Sequence, residues 1–314
     1  MKHRMSFEHG TLCQWANVTL PNLIRFEICT YPDAKTVDFW VSRTIQTTGT
    51  WERELVNSML ETLHSESSKR PILIDVGANI GVFTLAAAVS GFQVHAFEPV
   101  PRNAEMLRQS LIRNRVDSLV TLHTYALGSP STREVKMGTH NSNQGAVSHE
   151  RIMNHWSRFG GVAVASATLD EIAVSNPRLS RPVFLKLDIE GAECHFFEGA
   201  KMFLQTNFII GVIMELQPTT KRCCIEQQWT EKYGPFSMLN NKHGLCPRSK
   251  FGTFMHVQSV CNTSSPWDVR WEACPEDDLT SSVRRRRAAA VVPSRPRIPS
   301  LSDFVMERFT PFGV

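Results

Sequence analysis

Residues Ile72–Ala88 read ILIDVGANIGVFTLAAA. An apolar strand, Ile72–Val76, carries a carboxylate near its end, Asp75. Two glycines, Gly77 and Gly81, then bracket Asn79, and from Val82 the chain reads as helix. Packing alone asks for neither the acid nor the amide. In an open parallel sheet, ligands bind beyond the carboxyl ends of the strands, where Asp75 and Gly77 stand. Glycine at 77 and 81 lets the backbone turn sharply and meet a ligand without a Cβ in the way. The first turn of the following helix presents unpaired N–H groups to the same place.

Working outward, the pattern repeats. The helix from Val82 to Ser90 is ended by Gly91, strand Gln93–Phe97 follows, and helix Arg102–Asn114 starts after Pro99 and Pro101. Strand Val120–Tyr125 leads into a long polar loop from Ala126. SATLDEIA (166–173) opens a short helix, VFLKLDIEG (183–191) is a strand, AECHFFEGAKMFLQ (192–205) a helix, and FIIGVIMEL (208–216) another strand. Nearly continuous apolar strands alternating with helices predict a parallel sheet covered on both faces. Upstream, short strands are expected at Leu23–Cys29 and Val37–Val41. Leu55, Met59 and Leu63 mark an amphipathic helix with Thr48 or Thr50 as its N-cap. Further on, residues 221–233 look helical, and residues 236–241 and 267–273 are expected to close the sheet as an antiparallel pair.

Glu98 stands 23 residues beyond Asp75, at the tip of the second strand. A carboxylate at that spacing accepts hydrogen bonds from ribose hydroxyls. A dinucleotide loop would have glycine where Asn79 stands, and Asp75 would repel a pyrophosphate. The loop therefore points to S-adenosylmethionine, which carries an ammonium and a sulfonium and no phosphate. Capping of the turn and helix is the structural alternative for Asp75 and Asn79.

A second acidic stretch, LKLDIEGAE (185–193), puts Asp188 and Glu190 at another strand end, with Lys186 on the same strand face as Asp188. Asp188 lies where the far end of the cofactor and the substrate meet. Glu190 and Glu193 could instead complement a helix N-terminus, and Glu215 at the end of the next strand is a further candidate. DVGANIGVFTLAAA, FEPVPRNAEMLRQSL, ALGS, ATLDEI, LKLDIEGAECHFFEGA and IMELQP occur in the order that resembles FkbM-type methyltransferases, over residues 45–217 and more weakly to about 275. The resemblance implies an α/β class I methyltransferase fold, Rossmann-like, with a seven-stranded, mostly parallel sheet. It also implies S-adenosylmethionine as cofactor, held on the methionine side by Asp75, Gly77, Ala78, Asn79 and Gly81. Glu98 would then meet the ribose, Ala126 and Leu127 would flank adenine, and Asp188 would complete the site. TGTWERELV (48–56) is similar to the family's lead-in helix.

Methyl transfer is an in-line displacement in which positioning does most of the work, and a hydroxyl acceptor gains from a base. Asp188, Glu190 and His140 are the candidates. The expected reaction is O-methylation of a small molecule, sugar or lipid. The rivals are a NAD(P)-dependent oxidoreductase on a similar sheet and an inactive methyltransferase-like adaptor.

The rest of the chain sets bounds on these readings. It has 314 residues, 42% hydrophobic and 20% charged, enough for a sizeable core. Residues 281–314 hold seven arginines against Asp303 and Glu307, so the tail carries +5 and the first 280 residues −1. The reading divides the chain into an N-terminal extension (1–44), the domain (45–275) and a disordered Arg/Pro/Ser-rich tail (276–314). That tail lacks the interleaved aromatics of single-strand binders, so nucleic acid is not the expected partner. No metal site is expected. The eight cysteines show no CxxC pair and read first as free thiols, with one or two disulfides among residues 223–274 as the alternative. With no signal peptide and no apolar run of spanning length visible, a cytoplasmic protein is expected. The cysteines and the Asn17 and Asn262 glycosylation triplets keep a secretory compartment open.

Overall fold

The computed structural model describes residues 12–138, 161–216 and 254–259. His140, the helix expected at 221–233, the expected antiparallel pair and the arginine tail lie outside the described residues. In chain order the elements are β1 (Gln14–Thr19), β2 (Arg25–Thr30), α1 (Val41–Thr48), α2 (Arg53–Ser65), β3 (Ile72–Val76), α3 (Val82–Val89), β4 (Gln93–Phe97), α4 (Pro101–Arg113) and β5 (Val120–His123). Then come β6 (Ala126–Leu127), β7 (Glu134–Gly138), β8 (Gly161–Ala167), α5 (Leu169–Ser175), β9 (Val183–Leu187), α6 (Glu193–Gly199), α7 (Lys201–Thr206), β10 (Ile209–Leu216) and β11 (Phe254–Ser259).

The main sheet has the order β11-β10-β9-β3-β4-β5, with every pairing parallel. Seven strands are the expectation for a class I sheet; the described residues supply six. Alternation along each strand decides which helices it meets. Leu73, Val94, Ala96, Phe184 and Ile213 join one core with α2, α3, α4 and the β1–β2 hairpin. Ile72, Ile74, Val76, Leu185, Leu187 and Met214 join the other with α5, α6 and α7. Burying each such side chain is worth about 1.5–3 kcal/mol, which is why both strand faces are apolar except near their carboxyl ends.

Four expectations are corrected. Val37–Val41 is not a strand: the Asp38 carboxylate accepts the Val41 and Ser42 N–H groups at 3.3 and 2.9 Å and starts α1 there. Thr48 and Thr50 do not cap the amphipathic helix, because α1 runs through Thr48 and ends on left-handed Gly49, and α2 begins after Glu52. The stretch 192–205 is two helices. The Asp170 carboxylate accepts the N–H groups of Met202 and Phe203 at 3.1 and 2.7 Å, capping α7 separately. Finally, the loop after Ala126 contains β7, which with β6 and β8 makes a second, three-stranded sheet.

The free-thiol reading is also corrected for the three cysteines among the described residues. Cys13 and Cys29 form a disulfide across the β1–β2 hairpin, and Cys194 is also disulfide-bonded. The Cys13–Cys29 bridge closes a loop of sequence separation 16, for which chain entropy gives about 3 kcal/mol. We expect Cys13→Ser to lower the unfolding free energy by about that much in urea titrations. Alkylation and mass spectrometry of the oxidised wild type should find Cys13 and Cys29 blocked; an unchanged midpoint with both thiols alkylated would contradict the bridge.

Candidate active site

Strand register assembles the site. Asp75 pairs with Lys186 and Val76 with Leu187 across β3–β9, and Leu187 pairs with Met214 across β9–β10. One residue further on, Gly77, Asp188 and Glu215 come level at the carboxyl ends of three adjacent strands. The turn after β3 is stitched to its neighbours through backbone. Gly77 and Ala78 donate to the Phe97 carbonyl, each at 3.0 Å, and Asp188 donates to the Val76 carbonyl at 3.1 Å. Gly77 sits at φ 76° against the Asp188 carbonyl, which any Cβ would strike. This glycine is thus required twice, by its conformation and by the close approach.

Asp75 is fully buried beneath the turn. Its Oδ2 accepts the Thr84 hydroxyl at 2.6 Å, and its Oδ1 lies 3.6 Å from Lys186 Nζ. The same ammonium, itself buried, lies 3.4 Å from Asp188 Oδ2 and donates to the Gly77 carbonyl at 2.7 Å. Burial alone would lower the pKa of Lys186, but Asp188, Asp75 and Glu52 hold it above the usual lysine range. The charge of Asp75 is therefore answered inside the protein. Burial raises the Asp75 carboxyl, with Lys186 and Thr84 opposing.

Glu98 is buried at the tip of β4. Its Oε2 accepts the Asn79 N–H at 2.7 Å and its Oε1 the Val100 N–H at 2.9 Å. Burial pushes its carboxyl up to about 7, and these backbone donors and Lys186 pull the other way. Asn79, left-handed at φ 53°, spends its side-chain oxygen on the Ile80 N–H at 2.8 Å. Gly81, also left-handed, abuts Leu107 of α4.

An open cleft lies over these strand ends, with about 740 Å³ of unfilled space counting its mouth. Gly77, Glu98, Ala126, Leu127, Asp188 and Glu190 all line it. Asp75, Ala78, Asn79 and Gly81 are not in that lining and support the turn from behind or alongside. Glu190 takes the left-handed conformation before Gly191. Glu193 folds back so that its Oε1 accepts the Gly191 N–H at 3.0 Å, a turn-stabilising role.

Several lining residues were not foreseen: Tyr125, Thr132, Met137 and His195. Met137 could have been found, since Val135 and Met137 alternate with Glu134 and Lys136 at strand period. Beneath Tyr125 the Phe97 and His123 rings stack at 4.3 Å, and His123 bonds His95 at 3.2 Å and the Tyr125 hydroxyl at 2.9 Å. Burial pushes both imidazoles down to about 4, and their mutual repulsion adds to it for His95. They are neutral supports of the cleft floor at neutral pH.

A second set of carboxyls gathers around Asp188. Glu215 hydrogen-bonds Asp188, and burial together with Asp188, Glu190 and Glu52 raises its pKa well above the ordinary value. The Glu52 carboxyl is enclosed although the residue keeps some exposure; burial first, then Asp188, pushes it up to about 7. Among the described residues no three His, Cys, Asp or Glu side chains are arranged to hold a metal ion.

Residues 75–234 match the methyltransferase FkbM domain, half of the chain. The chain belongs to the FkbM methyltransferase family. The match begins at Asp75 and takes in the turn, Glu98 and the Asp188 strand end, so the cleft lies within the FkbM domain. No curated protein and no solved structure matches the chain.

The ion-pair geometry makes a test. Lys186→Met leaves a buried carboxylate without its cation and should cost about 3–5 kcal/mol in chemical denaturation. Adding Asp75→Asn should recover part of that loss. Strictly additive losses would show that the two side chains do not interact.

Proposed function

We propose that this FkbM protein is an S-adenosylmethionine-dependent O-methyltransferase acting on a hydroxyl of a small molecule, sugar or lipid. The observation that carries the reading is the buried Glu98 carboxylate, fixed by the Asn79 and Val100 N–H groups beside the Gly77 turn. Each of its oxygens keeps a lone pair for a ribose hydroxyl. The strand order β5-β4-β3-β9-β10 suits a class I sheet, in which a seventh strand would complete the edge.

The cleft chemistry fits such a ligand. Gly77 brings backbone to the cleft wall for the methionine end, and Ala126 and Leu127 supply apolar walls for adenine. When bound, S-adenosylmethionine supplies a methyl group on an already activated sulfonium. The protein's part is to hold an acceptor oxygen in line and to take its proton. Asp188, at the cleft wall and hydrogen-bonded to Glu215, is suited to that second task, with Glu190 beside it.

The proposed acceptor class is supported by the cleft's mixed lining of carboxylates and apolar side chains, which suits a hydroxylated ligand better than a phosphate polymer. No helix of the described residues is long and apolar enough to cross a membrane. The disulfides and the exposed Asn17 of the glycosylation triplet on β1 favour a secretory compartment over the cytoplasm.

Calorimetry with S-adenosylmethionine and with NAD decides the cofactor. We expect heat with the first and none with the second; heat with NAD alone would sink the reading. The pH dependence follows from Glu98. Its carboxyl titrates near 7 in the free protein, and the form that accepts hydroxyls is ionised. Binding below that pH must therefore expel a proton, so affinity should rise as pH increases through about 7 and level off above it. Glu98→Ala should weaken binding roughly tenfold or more and flatten this profile.

A further inference from the structure

The carboxylate assigned to the ribose is braced from behind by a segment that precedes the matched residues. Asn103, in the first turn of α4, is fully buried. Its Oδ1 accepts the Tyr31 hydroxyl at 2.6 Å. Turning the amide over would set its oxygen against the Glu98 carboxylate, so the amino group belongs on the Glu98 side. That Nδ2 is buried without a completed hydrogen bond, and it favours the ionised form of Glu98.

Tyr31 is itself firmly mounted. Its N–H donates to Ser42 Oγ at 3.1 Å, its carbonyl accepts Gln46 Nε2 at 2.9 Å, and the Arg102 guanidinium lies 4.5 Å from its ring centre. Burial, with Asp38 and Glu98, raises its hydroxyl above the ordinary range against the pull of Arg102, so it remains a donor. The strand before it is fastened to α4. Cys29 N–H donates to Ser110 Oγ at 2.9 Å, Glu27 N–H to Asn114 Oδ1 at 2.9 Å, and Arg113 pairs with Glu27.

The geometry points to Tyr31 and Asn103 as positioning residues that orient the Glu98 carboxylate toward a ribose hydroxyl, with the Cys13–Cys29 hairpin as their mount. The inference rests on the reading of Glu98 as the ribose ligand. The hairpin is then a working part of the cofactor site as well as cover for the core. Removing the Tyr31 hydroxyl frees Asn103 to rotate and loosens the carboxylate, while the ring still fills its place.

The test compares two ligands, S-adenosylhomocysteine and its 2′,3′-dideoxyribose analogue, by calorimetry. Wild type should prefer the ligand with hydroxyls. Tyr31→Phe should lose roughly three- to tenfold in affinity for S-adenosylhomocysteine and little for the analogue, so the preference shrinks. Asn103→Ser, a second variant that keeps a small polar group, should do the same. If both ligands weaken equally in the folded variants, Tyr31 and Asn103 are packing residues and the inference is overturned. If wild type itself shows no preference, Glu98 does not hold the ribose and the underlying reading falls with it.

Discussion

One buried ammonium holds the carboxyl ends of the central strands together. Lys186 lies between Asp75 and Asp188 and takes the Gly77 carbonyl as its hydrogen-bond acceptor. Three strand-end features that would otherwise repel or fray are fixed by a single side chain. Desolvating these charges is expensive, and a buried pair repays that cost only with good geometry and further hydrogen bonds. The Thr84 hydroxyl on Asp75 and the Gly77 carbonyl on Lys186 supply them. The gain is definition rather than stability, because an apolar trio of equal volume would pack but would not fix the turn. The backbone of that turn, held against Asp188, forms one wall of the cleft.

The carboxyls divide into two groups. Around the internal cation, Asp75 and Lys186 balance one another, and Glu52 and Glu215 are raised carboxyls near Asp188. Along the cleft stand Glu98, Asp188 and Glu190, with Ala126 and Leu127. Asp188 belongs to both. It touches the internal cation and the cleft, so the charge state of the buried group is felt at the surface where an acceptor would sit.

The fold was legible wherever short apolar runs alternated with helical periods. β3, α3, β4, α4 and β9 stand close to where their patterns put them, because each strand is buried on both faces. Part of the cleft lining was legible for a related reason: Glu98, Asp188 and Gly77 break apolar strand ends at points where packing does not call for them. What could not be read depends on partners distant in sequence. α7 starts separately because Asp170 reaches its first turn, and β7 becomes a strand only through β8. The Cys13–Cys29 bridge depends on β1 and β2 pairing as a hairpin, which cysteine spacing does not disclose. Lys186 was noted for its strand face, yet its bond to Gly77 crosses 109 residues. Tyr31 carried no signal, since its bond to Asn103 joins a hairpin end to a helix start 72 residues on.

The central claim is that this strand-end cleft is the methyl donor's site, and a crystal structure with S-adenosylhomocysteine tests it most directly. The account expects a ribose hydroxyl at about 2.7–3.0 Å from the Glu98 carboxylate, the amino-acid end beside Gly77 and Asp188, and adenine against Ala126 and Leu127. Ligand density away from Glu98, with the Gly77 turn untouched, would contradict it.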